Sequence, residues 1–166
     1  IIFGSEPGNE VSLVQTGTAA TFDAGSSSLQ LLQNLTLQSN SELVFQSLDL
    51  NSRELTLANE TSDLSLNNQL ILDEASEKII TGTADLKLEG GIQMSAGEIT
   101  STGGKITLSE TSPNLFQNDA VLELLNTNLE SAGSGDSILT LDGEPNLSMN
   151  DGSIAHITLE RTESTV

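Results

Sequence analysis

Residues 86–94 read Leu86-Lys87-Leu88-Glu89-Gly90-Gly91-Ile92-Gln93-Met94. Two aliphatic-polar-aliphatic triplets flank a Glu-Gly-Gly turn. Successive side chains of an extended chain point to opposite sides, so each triplet places two apolar groups inward and one polar group outward. Paired glycines supply the backbone freedom that a tight reversal needs. The stretch therefore reads as a short half-buried strand, a turn and a second strand.

The same unit recurs along most of the chain. Leu29-Gln30-Leu31, Leu35-Thr36-Leu37, Leu43-Val44-Phe45, Leu55-Thr56-Leu57 and Leu64-Ser65-Leu66 precede it. Ile106-Thr107-Leu108, Leu122-Glu123-Leu124, Leu139-Thr140-Leu141 and Ile157-Thr158-Leu159 follow it. Through most of this stretch triplets start 5 to 9 residues apart, with Gly, Asn, Ser and Asp between them. A spacing of about 7 residues is short for a hairpin meander, whose strands usually run five or six residues with turns every 8–12.

Three such units make a coil of about 21 residues, the size of one turn of a triangular solenoid. In that arrangement each short strand pairs in parallel with its counterparts above and below, at about 4.8 Å. The inward Leu and Ile then form one continuous core that no single coil could bury alone. The expected fold is all-β, a parallel β-helix (β-solenoid) of about eight coils over the chain. An antiparallel sandwich or barrel is the competing architecture.

Two regions depart from the repeat. Residues 1–28 are less periodic and read as an N-terminal cap or first irregular coil, ahead of a solenoid region at 29–166. Around 113–126, Ser112-Pro113 resembles a helix start, and Leu115, Phe116, Ala120, Val121, Leu124 and Leu125 approximate helical spacing. One short helix at a solenoid corner is one expectation for this stretch; ordinary strands are the other.

Composition limits the function. Five basic against 24 acidic residues give a net charge of −19, which disfavours nucleic-acid binding because phosphate affinity comes from Lys and Arg. No apolar run approaches the roughly 20 residues of a membrane span, so this segment is not expected to insert. Cys is absent, which removes disulfides, thiolate chemistry and Cys-based zinc sites. The 27 Leu and 11 Ile supply too much aliphatic surface for simple disorder. Uncharged polar residues (22 Ser, 17 Thr and 13 Asn) dominate the rest, which suggests an extracellular or cell-surface protein. The chain opens Ile1-Ile2-Phe3-Gly4 without an initiator Met, as a processed or excised segment would.

Few residues stand out as candidates for chemistry. Asp49, Asp63, Asp73 and Asp85 fall on strands or turns, and Arg53 and Lys87 are placed to approach some of them across coils. A catalytic acid pair needs two carboxylates in different environments within a cleft, and no pair is marked. His156 is expected to point outward if Ile157 and Leu159 face inward. Gly133-Ser134-Gly135-Asp136-Ser137-Ile138 partly resembles one Gly-rich calcium-binding repeat, and Asp142-Gly143 and Asp151-Gly152 read as turn dipeptides. Asp136, Asp142 and Asp151 are therefore the calcium candidates, since hard carboxylate oxygens suit Ca²⁺. No catalytic residue and no other cofactor is expected. Asn-x-Ser/Thr sequons at Asn34, Asn59 and Asn146 are as many as chance provides.

The triplets, the Gly/Asn/Ser turns and the lack of Cys resemble bacterial surface β-solenoids, namely autotransporter passengers and filamentous-haemagglutinin-like adhesin shafts. The resemblance covers about residues 29–160 and carries no site residues with it. It implies a non-enzymatic structural or adhesive shaft, filament or matrix element. Its partners would be other copies of itself, surface or matrix components, or glycans. A polysaccharide-binding or -cleaving β-helix and a viral fibre shaft are the alternatives.

Overall fold

A computed structural model of the chain describes residues 27–39, 42–57, 63–150 and 152–162, together with the strand backbones 2–3, 11–15 and 22–23. It is an all-β parallel solenoid of about six turns with roughly 22-residue spacing. Every strand pairing among the described residues is parallel, which excludes the sandwich and the antiparallel barrel for them.

Every third strand lies on the same face. The first face carries Ile2–Phe3, Ser28–Leu31 and Ser47–Asp49 in one sheet. Leu70–Leu72, Ile92–Met94, Asn114–Gln117, Ile138–Asp142 and Thr158–Thr162 form the next sheet along it. The second face stacks Val11–Gln15, Leu35–Ser39, Glu54–Leu57, Lys78–Gly82, Glu98–Ser101, Val121–Leu125 and Asn146–Asn150. The third stacks Phe22–Asp23, Leu43–Phe45, Leu64–Leu66, Leu86–Leu88, Lys105–Leu108, Asn128–Ser131 and Ile154–His156.

The triplets set the register. On the third face Leu64, Leu86, Ile106 and Leu129 are stacked partners, each at most 1% exposed. On the second face Leu35, Leu55, Ile79, Ile99 and Leu122 do the same. A one-residue slip would turn each of these rows outward, so burial fixes the pairing. At the last described rung Leu159 pairs with buried Leu139 yet stays 49% exposed, because no described rung covers it.

Rung length varies more than a fixed 21. It runs from 19 residues (Leu29 to Leu48) to 28 (Ile2 to Gln30). The extra residues sit at the corners. The Gly90-Gly91 turn of the opening stretch is dictated by stacking. A Cβ on Gly90 would run into the backbone of Asn68, and Gly91 has φ +81° with Pro113 O directly below.

No helix forms among the described residues, and none is long and apolar enough to cross a membrane. The short helix expected near 113–126 is replaced by strands Asn114–Gln117 and Val121–Leu125, separated by a turn closed by Ala120 N donating to Gln117 O at 2.9 Å. Parallel pairing of Ile92, Gln93 and Met94 with Asn114, Leu115 and Phe116 outweighs the local helical spacing. The expected cap over 1–28 lies mostly outside the described residues. Its described strand backbones pair in parallel with the next rung.

Two corners hold polar groups inside the core. Between the second and third faces, Thr127 Oγ1 contacts Ser101 Oγ at 2.9 Å and Gly103 O at 3.2 Å, and Ser101 Oγ donates to Gly103 O at 2.7 Å. Between the third and first faces, Asn114 Nδ2 bridges Ser109 O and Ile138 O, while Ser137 Oγ donates to Leu108 O. These side chains keep their own buried polar groups hydrogen-bonded by using carbonyls at the corners, Leu108 O accepting from Ala132 N as well.

Candidate functional site

The outward surface is a set of rows, one residue per rung. The described lysines staple successive acidic rungs. Lys87 Nζ lies 2.9 Å from Glu42 Oε1 and 3.6 Å from Asp63 Oδ2, and Ser65 Oγ donates to the same Glu42 oxygen. Lys78 Nζ is 2.6 Å from Glu98 Oε2, one rung on. Lys105 Nζ is 3.9 Å from Glu130 Oε2.

These contacts shift the titrations. The hydrogen bond from Lys87, helped by Ser65, holds the Glu42 carboxyl below the usual carboxylate range despite some burial. The hydrogen bond from Lys78 does the same for Glu98. Glu98 raises the Lys78 ammonium by hydrogen bond and charge. For Lys87 burial is the largest single influence and acts downward, but Glu42, Asp63 and Asp85 together outweigh it and the net shift is upward. Lys87 thus approaches Asp63 as its position in the sequence suggested. Arg53 instead donates to the carbonyls of Leu32 and Ser52.

A shallow groove of about 320 Å³ lies at the corner after the third face, lined by Glu130, Ser131, Gly133, Gly135, Asp136 and His156. The loop that forms it folds around Glu110, whose Oε1 accepts from Gly135 N at 2.7 Å and from Ser131 Oγ at 3.0 Å. His156 is exposed and in register with Glu130 on the adjacent strand. Ser131 also accepts from Ser137 Oγ, so its hydroxyl belongs to a structural chain. The groove offers hydrogen-bonding carboxylates and an imidazole. The carboxyls held low lie elsewhere and each has a structural cause.

The calcium candidates are not gathered. Asp136 lines this groove. Asp142 lies on the first face, where Gln117 Nε2 and Thr162 Oγ1 donate to its carboxylate and hold its pKa down. Asp151 lies outside the described residues. Among the described residues no three His, Cys, Asp or Glu side chains are placed to hold a metal ion. Gly143 and Gly152 have φ of +80° and +85°, as turn dipeptides require. Asn34 and Asn146 are exposed, and Asn59 lies outside the described residues.

The Lys78–Glu98 staple and the Glu110 cradle were not anticipated from the sequence. The staple could have been found from spacing, since 78 and 98 differ by one rung. Lys87 and Glu42 differ by 45, two rungs. Compared with known proteins, the chain matches no family model, no curated protein and no solved structure.

Proposed function

We propose that this chain is a non-enzymatic structural segment of an extracellular or cell-surface protein, a stiff element of an adhesin-like shaft, filament or matrix. One observation carries the reading: the buried, mainly Leu/Ile core runs unbroken from Leu29 to Leu139 while most of the sheet centres outside are polar. A packed, hydrogen-bonded column resists bending, and outward Thr, Ser and Gln repeated once per rung suit many weak contacts made together. The charge of −19 keeps such elements soluble. The Gly/Asn/Ser turns and Cys-free composition support the likeness to autotransporter passengers and haemagglutinin-like shafts.

The polysaccharide reading has the Glu130–Asp136–His156 groove in its favour. Electron microscopy of the purified chain, paired with a turnover assay on acidic polysaccharides and a glycan array, separates the two. Short rods or filaments without turnover are expected. Hydrolysis that an Asp136→Asn change abolishes would replace the structural reading with an enzymatic one.

A further inference from the structure

We propose that the first face, between Leu70–Leu72 and Ile138–Asp142, is a lateral contact surface for a second copy of this chain. The inference rests on the structural reading above and names the partner of one surface.

Charge distribution carries the argument. The central outward row of this face is Ile71, Gln93, Leu115 and Thr140, aligned by the strand register. The row before it includes Pro113 and Ile138. None of these side chains is ionisable, on a chain of net charge −19. Charge stands at its margins, with Asp49 on the rung before the patch, Asp73 and Asp142 in the row after, and Glu160 and Arg161 on the rung beyond. The other two faces differ. The second carries Glu54, Lys78 and Glu98 in its leading row and Glu123 in its central row. The third carries Asp85 and Lys105 in its leading row and Lys87 and Glu130 in its central row. Two such acidic molecules meet with least repulsion across the two rows that carry no ionisable side chain.

The exposed apolar groups agree. Ile71 is 50% and Ile138 44% exposed at opposite ends of this patch. Against its own copy, turned about a twofold axis, the face presents rows with the same repeat of about 4.8 Å, so ridges of one copy match grooves of the other. A saccharide is the less favoured occupant. The aromatic side chain of this sheet, Phe116, is 1% exposed and turned into the core, which leaves no ring for a sugar to lie on.

The area sets the strength. Four rungs at about 4.8 Å by four or five residues at about 3.3 Å give roughly 300 Å² per copy, well below the roughly 800 Å² per partner of a stable interface. One pair therefore associates weakly, and useful strength comes from many copies held side by side.

Sedimentation equilibrium of the full chain, from about 0.05 to about 1 M NaCl, tests this. Concentration-dependent association that strengthens with salt is expected. Leu115→Glu and, independently, Gln93→Glu should each lower the association constant by about tenfold or more. Thr107→Glu, which adds the same charge to the third face, should change it less than about threefold. Circular dichroism checks that each variant keeps the wild-type fold. A chain that stays monomeric at all salts overturns the inference, as does equal weakening by Thr107→Glu. Retention on a neutral polysaccharide resin, lost in Leu115→Glu without any self-association, assigns the face to a glycan instead. A monomeric, catalytically silent rod would sink this inference alone, whereas polysaccharide turnover would sink the structural reading beneath it.

Discussion

Leu86→Ala is the sharpest test of the stacked core. Leu86 is fully buried between Leu64 and Ile106, its register partners above and below, which are 0% and 1% exposed. Leu→Ala in a core costs about 2–5 kcal/mol, and the cost grows with the cavity left behind. Here the walls are strands hydrogen-bonded to both neighbours, so they cannot close the gap, and about 3–4 kcal/mol is expected. For a chain of this length total stability is about 8–25 kcal/mol, so the loss is large. With a urea slope of about 2–3 kcal/mol/M the midpoint falls by more than about 1 M. The matched control is Thr107→Ala, one rung on in the same sheet but outward, which should stay within about 1 kcal/mol. Urea unfolding followed by far-ultraviolet circular dichroism reads both. Since each rung touches only its neighbours, Leu86→Ala should also broaden the transition as part of the column melts early. Equal effects of the two substitutions, or a Leu86→Ala loss under about 1 kcal/mol, would refute the inward and outward assignment.

The corner hydroxyls make a second contrast. Thr127→Val removes bonds to Ser101, Gly103 and Leu125 from a fully buried position and should cost about 1–3 kcal/mol by urea unfolding. Thr81→Val should be neutral or stabilising, because Thr81 Oγ1 is buried without a hydrogen-bond partner in the described structure. Gly91→Ala should lower the thermal midpoint far more than Gly135→Ala, since Gly91 needs φ +81° and sits on Pro113 O. Added NaCl should raise the melting temperature, because screening 24 acids relieves more repulsion than it weakens the lysine pairs; a fall would show the staples dominate. For pH, the folded-state carboxyls of Glu42 and Glu98 lie below their unfolded values, so their contribution is present above the unfolded pKa of about 4.3 and is lost as pH falls through the lower folded value. Glu98→Gln should accordingly flatten the loss of stability below about pH 4, measured by thermal melts across pH.

The fold was legible because one pattern repeats it many times. Any single triplet, such as Leu86-Lys87-Leu88, is compatible with several architectures, but their tight spacing leaves little room for anything except a coil. The stretch at 113–126 misled for a physical reason. Leu115, Val121 and Leu125 are apolar yet face outward, and counting them as core produces a false helical period. Asn114 hides the true register, because an amide stands where Ile92 and Leu139 stand in adjacent rungs. The polar corners were invisible for a similar reason, since Ser101, Thr127 and Ser137 look like loop hydroxyls until the rungs stack. The groove depended on Glu110 meeting Gly135 across 25 residues, a contact that no local motif announces.

The same geometry explains why function is harder to read than fold. A rung tolerates insertions at its corners without moving its strands, as the range from 19 to 28 residues shows. The inward positions are over-determined by burial, whereas the outward centres answer to water and to neighbours one or two rungs away. Thr56, Ile80, Thr100 and Glu123 occupy one row of the second face and mix hydroxyl, aliphatic and carboxylate groups. A row free of ionisable groups on a chain with 24 acids is therefore the kind of outward pattern that folding does not demand. That is why the uncharged row from Ile71 to Thr140, rather than any single acidic side chain, is where selection for a partner would leave its mark.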